Sequence, residues 1–254
     1  MKNRLSRLSI VMLSLLALPS LVLAQSVQEK IDAAMKMSYR TEAERARDSD
    51  RKAPEALAFM GLRDNMKVIE FFPARQAWYT KVLAPVLADK GQLWVIDSDA
   101  TFKAWGDLLK DPVFKTTKTI TTKASYNREE RRYDIGEIVV PFKDADLLLN
   151  IREYHNMNAA DKARFNKIAF NALKSGGKYV VIDHTRRHMQ AEDDGPLFRR
   201  EDPVDVILEV QAAGFVLEKA SDMFYSAVDP LNVEVGDAAV TNRTDRFFFV
   251  FGKP

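Results

Sequence analysis

The chain of 254 residues contains three histidines, His155, His184 and His188, and no cysteine. Asp183 and His184 stand side by side at the end of an apolar run over 178–183. Arg152 and His155 follow closely on another, over 145–151. A histidine next to a carboxylate has the parts of a general base, because its charge changes near neutral pH. The same pair equally serves to fasten neighbouring loops by hydrogen bonds. His184 and His188 are four apart and would share a helical face, but scattered histidines lack a tight ligand motif, so no metal is expected. Arg186, Arg187, Arg199 and Arg200 read as solvated surface, with capture of an anionic substrate as the other reading. Asp97 closes a further apolar run over 93–97, where a carboxylate either caps the next helix with Ser98 or Asp99 or meets a ligand.

Composition narrows the chemistry. Without cysteine there are no disulfides, thiolate metal sites, iron–sulfur clusters or thiol nucleophiles. The chain is 46% hydrophobic and 29% charged, the balance of a globular domain. Its formal charge of +2 depends on Lys2, Arg4 and Arg7; without those three cations the remainder carries −1. A near-neutral remainder gives no electrostatic case for binding nucleic acid or an anionic membrane.

The elements that must position the candidate residues follow from periodicity. Residues 25–60 read as helical, with Ile31, Ala34, Met35 and Ser38 on one face and a charged stretch behind them. Buried strands are expected at 66–72, 93–97, 145–151, 178–183 and 244–252, and a weaker Thr-rich one near 116–122. Helices are expected at 78–88, 100–109, 161–173 and 204–213. Phe215 to Leu217 begins one more strand. Strands alternating with helices predict a parallel sheet covered on both faces. Since no convincing helix separates the last two strands, the final one is expected to be antiparallel.

The succession of strand, helix and strand ending in Asp97, followed by Lys174-Ser175-Gly176-Gly177-Lys178-Tyr179-Val180-Val181-Ile182-Asp183, resembles the class I S-adenosylmethionine-dependent methyltransferases. Ser175 stands where that family has a proline before two glycines. A narrower resemblance is to an exported branch of predicted methyltransferases. It rests on Arg47-Asp48, Arg51 and Pro54 with 57–62, Trp78-Tyr79-Thr80 with Leu83-Ala84-Pro85, Val181-Ile182-Asp183-His184, and Thr244-Asp245-Arg246-Phe247. The resemblance covers most of 45–254. It implies an α/β, Rossmann-like class I methyltransferase fold: a mostly parallel seven-stranded sheet with an antiparallel last strand, plus N-terminal helices. It further implies S-adenosylmethionine as cofactor beside Ala74, Gln76 and Asp97, with Asp97 on the ribose hydroxyls and Glu70 bracing the loop. His155, Asp183 or His184 would then orient or deprotonate an O, N or C nucleophile on a small-molecule acceptor.

One departure bears on this reading. The glycine-rich loop of the family is here Pro73-Ala74-Arg75-Gln76-Ala77, and no glycine occurs between Gly61 and Gly91. Arg75 and Gln76 are therefore expected to project into space that a cofactor fills, unless Arg75 pairs with the cofactor's carboxylate. The alternative is a non-catalytic periplasmic binding protein that retains the fold. Residues 1–24 combine a cationic start, an apolar run and a small-residue end, which predicts a signal peptide cleaved after Ala24 and a periplasmic or secreted protein. The expected organisation is 1–24 signal peptide, 25–62 helical segment and 63–254 α/β domain, with no membrane association after cleavage.

Overall fold

A computed structural model describes residues 25–129, 132–191 and 199–254 of the chain. The expected leader at 1–24 lies outside the described residues. Four short helices open the chain: α1 (Val27–Met35), α2 (Glu42–Arg45), α3 (Asp48–Arg51) and α4 (Ala53–Met60). Then come β1 (Lys67–Phe71), α5 (Thr80–Leu87), β2 (Gln92–Ser98), α6 (Asp99–Ala104) and β3 (Lys118–Thr122). A hairpin of β4 (Ala124–Asn127) and β5 (Arg132–Ile135) precedes β6 (Ala145–Ile151), α7 (Ala159–Ala172) and β7 (Leu173–His184). The chain closes with α8 (Pro203–Ala212), β8 (Val216–Ser221) and β9 (Arg246–Gly252). Among the described residues, no helix is long and apolar enough to cross a membrane.

Seven strands form one sheet in the order β3-β2-β1-β6-β7-β9-β8. All pair in parallel except β9, which runs antiparallel to both β7 and β8. The expectation for the last strand holds, because the return over 222–245 contains no helix to make the crossover that a parallel neighbour of β8 would need. Alternate residues of each strand face opposite sides. Val68, Val95, Leu147, Val180 and Phe248 pack under α1, α4 and α5, whereas Ile69, Ile96, Leu148, Val181 and Phe249 meet α7 and α8. Each such fully buried side chain contributes about 1.5–3 kcal/mol. From β1 the chain moves outward to β2 and β3, then returns to place β6 on the other side of β1. The strand order reverses there, and a crevice opens at the carboxyl ends of β1 and β6.

Two local features depart from the periodicity. The polar stretch after β3 gives no further strand signal, yet β4 and β5 pair antiparallel there, with Tyr126 opposite Tyr133 and ring centroids 5.3 Å apart. In α5, Pro85 removes the N–H that would bond to the Lys81 carbonyl. The Tyr39 hydroxyl donates to that carbonyl instead, at 2.9 Å, so the helix continues through the proline.

Candidate active site

The turn after β1 has the backbone of a glycine loop without its glycines. Phe72, Ala74 and Ala77 lie in the left-handed region, at φ 46°, 56° and 49°. A side chain there costs roughly 1–2 kcal/mol per residue, so three in one turn require strong tertiary restraint. The restraint is visible. Phe72 N–H donates to the Ile96 carbonyl at 2.8 Å, and the Trp105 indole donates to the Ala74 carbonyl at 2.9 Å. The Ala74 N–H donates to Asp97 Oδ2 at 3.1 Å.

That last contact defines where Asp97 stands. Its other oxygen accepts from the Ser98 N–H at 2.6 Å, and the residue is only 2% exposed. Helix α6 is capped by Ser98, whose hydroxyl accepts from the Thr101 N–H, so Asp97 braces the β1 turn and is not the cap. Burial raises its carboxyl above the ordinary value, opposed by these hydrogen bonds. Arg75 is exposed and does not line the cavity, whereas Gln76 borders it from an exposed position.

The cavity itself, about 230 Å³, occupies the crevice between the ends of β1 and β6. Glu70, Ala74 and Gln76 line one side, and His155 and His184 the other. Asp183 lies beneath, fully buried, and holds the two histidine segments together. It accepts from the His155 N–H at 3.0 Å and from the His184 N–H at 2.7 Å. Its Oδ1 also lies 2.6 Å from His155 Nδ1. Burial alone would push the Asp183 carboxyl up; the charge and hydrogen bonds of His155, with the His184 N–H, more than offset it and hold it below the usual range. A carboxylate on Nδ1 leaves Nε2 of His155 as the ring position available to a proton, which is the orientation a general base needs.

His184 is arranged differently. The guanidinium of Arg152 only donates, so its Nε, 3.1 Å from His184 Nε2, makes that nitrogen the acceptor. The proton of the neutral ring is then on Nδ1, 2.8 Å from Thr244 Oγ1. Both ring nitrogens are engaged. Burial, followed by the charge of Arg152, holds the imidazole well below its ordinary value. His184 therefore positions Arg152 and has no lone pair for substrate. Arg152 itself sits at φ 65°, a further strained residue on the same crevice.

Three more charged groups stand on the wall, and of these only Arg152 is a site candidate in the sequence. Arg51, from α3, enters the sequence reading only as part of the resemblance, with no role, yet it borders the cavity with its Cζ 5.4 Å from the Trp78 ring. Arg152 and Glu153 complete the set. Burial pushes the Glu153 carboxyl up to about 8, against a 2.8 Å hydrogen bond from Asn156. Burial likewise pushes Glu70 up to about 7, against a 2.6 Å bond from the Thr80 hydroxyl. The arginine quartet is also redistributed. Arg200 is fully buried on Asp229, at 2.9 and 3.0 Å, and Arg186 is 5% exposed, so neither is surface. His188 binds Asp202 at 2.9 Å, away from the cavity. Among the described residues no group of three or more acidic or histidine side chains is placed to hold a metal.

No protein-family model matches the chain, and no curated protein does. Solved structures do. A SAM-dependent methyltransferase from Aquifex aeolicus superposes with a TM-score of 0.57, at 13% identity over 88% of this chain and 97% of that one. The cyclase SpnF gives 0.56 at 12% identity, covering 81% and 80%. Human N-acetylserotonin methyltransferase in complex with SAM gives 0.50 at 10%, covering 90% of this chain and 56% of that one. The chain thus has the Rossmann-like fold of these proteins, and a cyclase among them shows that the fold hosts more than one chemistry.

Proposed function

We propose that the chain is an S-adenosylmethionine-dependent methyltransferase acting on a small molecule, with His155 as general base. The observation that carries this reading is the crevice at the β1/β6 switch point, where a left-handed turn faces a histidine–carboxylate pair. The fit to the cofactor rests on the turn. Phe72, Ala74 and Ala77 keep the backbone that close approach of a ligand requires, even without glycine. Ala74 and Gln76 would border the cofactor's amino-acid end, with Glu70 near its ammonium. Each Asp97 oxygen keeps a lone pair beyond its N–H bond, but the residue is buried behind the β1 turn, so it would reach the ribose only once that turn shifts. When bound, the cofactor supplies a methyl group on a sulfonium, a donor reactive enough to leave the protein mainly alignment and proton removal. His155 Nε2 takes the acceptor's proton, and Asp183 stabilises the imidazolium that results. The leader-like composition of residues 1–24 supports placing this activity outside the cytoplasm.

A second reading is favoured by Asp97. A carboxylate 2% exposed, with each oxygen on a backbone N–H, is a brace that a non-catalytic binding protein would retain. Calorimetry of the full chain with S-adenosylhomocysteine separates the two. Micromolar binding, weakened at least tenfold by Asp97→Ala, supports the transferase; no heat with either S-adenosylhomocysteine or S-adenosylmethionine overturns it in favour of the binding protein.

A further inference from the structure

We propose that Arg51 and Arg152 form the seat for one anionic group, a carboxylate or phosphate, on the molecule that occupies the cavity. This names the ligand chemistry of the site above and relies on the methyl-transfer reading only for what else that molecule carries.

Both guanidiniums are positioned by partners that leave their charge uncancelled. Arg152 is oriented through Nε by the neutral ring of His184, which is fixed in turn by Thr244. A carboxylate in the place of His184 would orient Arg152 equally well, but would neutralise it. Arg51 leans on aromatic faces, 5.4 Å from Trp78 and 6.0 Å from Tyr79, an attraction that also preserves charge. Its Nε is buried and has no hydrogen-bond partner. Neither arginine lies within ion-pair distance of a described carboxylate, unlike Arg199 on the same wall, which Glu234 neutralises.

Asp183, ionised beneath the cavity, offsets part of the Arg152 charge, and the two acids of the wall add little to it. Glu70 is occupied by the Thr80 hydroxyl and Glu153 by the Asn156 amide. Burial drives both carboxyls toward their neutral forms near pH 7, whereas burial and the charge of Arg152 lower Arg51 only to about 9. At neutral pH the crevice therefore holds positive charge in a partly desolvated setting. A buried cation without a counter-ion is expensive, and an incoming anion removes that expense. The planar forks of two arginines suit the flat or tetrahedral oxygens of carboxylate and phosphate.

Two sources carry such a group: the acceptor molecule, or the amino-acid carboxylate of the cofactor. Calorimetry on the full chain resolves them, with inorganic phosphate, S-adenosylhomocysteine and 5′-methylthioadenosine, which lacks the carboxylate, as probes. Wild-type protein is compared with Arg51→Gln, Arg152→Gln, the charge-conserving Arg152→Lys, and the exposed-site control Arg187→Gln. Phosphate binding weakened about tenfold or more by both glutamine variants, and unchanged by the control, is the expected result. If S-adenosylhomocysteine binding is unaffected by the variants, the anion belongs to the acceptor. If it falls tenfold while 5′-methylthioadenosine binding does not, the anion is the cofactor's carboxylate. Should Arg152→Gln fail to fold, Arg152→Lys still reads the loss of the fork. Phosphate and S-adenosylhomocysteine binding that is absent or identical in wild type and variants overturns the proposal. Phosphate binding without S-adenosylhomocysteine binding would leave this seat standing while the transferase reading falls.

Discussion

Arg152 and His184, 32 residues apart, are joined by a hydrogen bond from Arg152 Nε to His184 Nε2 of 3.1 Å. The bond converts a histidine that looks catalytic in the sequence into a fixed, uncharged acceptor. It also separates the two histidines of the crevice by role: His155 backed by a carboxylate, His184 facing a cation.

This separation has a pH signature. Burial and the Arg152 charge lower the folded pKa of His184 well below 6.5. As pH falls through about 6.5 the unfolded chain takes up a proton that the folded chain refuses, so this group removes stability toward acid. Nitrogen-15 spectra of labelled histidine should show His184 neutral and Nδ1-protonated from pH 8 to pH 5. A ring that titrates near 6.5 would contradict the arrangement.

Glu153 acts in the opposite direction. Unfolded it titrates near 4.5, and folded it keeps its proton to about 8. Between those values the folded chain binds more protons, so this group's contribution to stability declines as pH rises. Glu153→Gln should therefore be close to neutral at pH 4.5 and stabilising at pH 8.5, by on the order of 2 kcal/mol once water at the cavity edge is allowed for. Urea unfolding at the two pH values measures the difference.

The strained turn makes a prediction about a single methyl group. Ala74 is exposed, so Ala74→Gly removes little packing while relieving a left-handed φ of 56°. Relief of about 1–2 kcal/mol is set against the extra freedom of glycine in the unfolded chain, giving a net gain of about 0.5 kcal/mol. Ala74→Val should lose more than about 1 kcal/mol, since a β-branched residue tolerates that φ poorly. Thermal unfolding of the two variants should move in opposite directions.

The acid–base pair is tested by Asp183→Asn. The three N–H donors that converge on Asp183 include the His155 ring, and an amide cannot accept from all of them and remain satisfied. Loss of about 3 kcal/mol in stability is expected. In a methyl-transfer assay His155→Gln should lower kcat by about 10²–10⁴ with a smaller change in KM.

Helix α5 offers a structural test free of the site. Tyr39→Phe removes the donor to the Lys81 carbonyl and should cost about 1 kcal/mol. In a Pro85→Ala background the backbone N–H returns to that carbonyl, so the same substitution should cost measurably less. A double-mutant cycle with no coupling would show that the tyrosine does not substitute for the missing helix bond.

Much of the scaffold was legible along the chain, because apolar runs and their spacing report burial directly. The strands at 67–71, 92–98 and 145–151, the antiparallel end and the placement of Asp183 and His184 at a strand terminus all follow from local pattern. Arg51, Arg186 and Arg200 were not legible. A charge in sequence reads as solvated, and only a partner supplied from elsewhere, such as Asp229 for Arg200 or the Trp78 ring for Arg51, makes its burial tolerable. The hairpin of β4 and β5 escaped for a related reason, since its charged connection masks the tyrosine pair that holds it.

By itself, then, the sequence determined an alternating α/β chain with a carboxylate–histidine pair at one strand end and a first turn stripped of glycine. Tertiary structure decided what those features do. Folding laid the Ala74 N–H on Asp97, left His155 with the carboxylate and gave His184 to Arg152. These are contacts between residues 23 to 32 positions apart. The direction of a hydrogen bond and the cancellation of a charge depend on which groups meet in space, and periodicity along a chain records only which faces are buried.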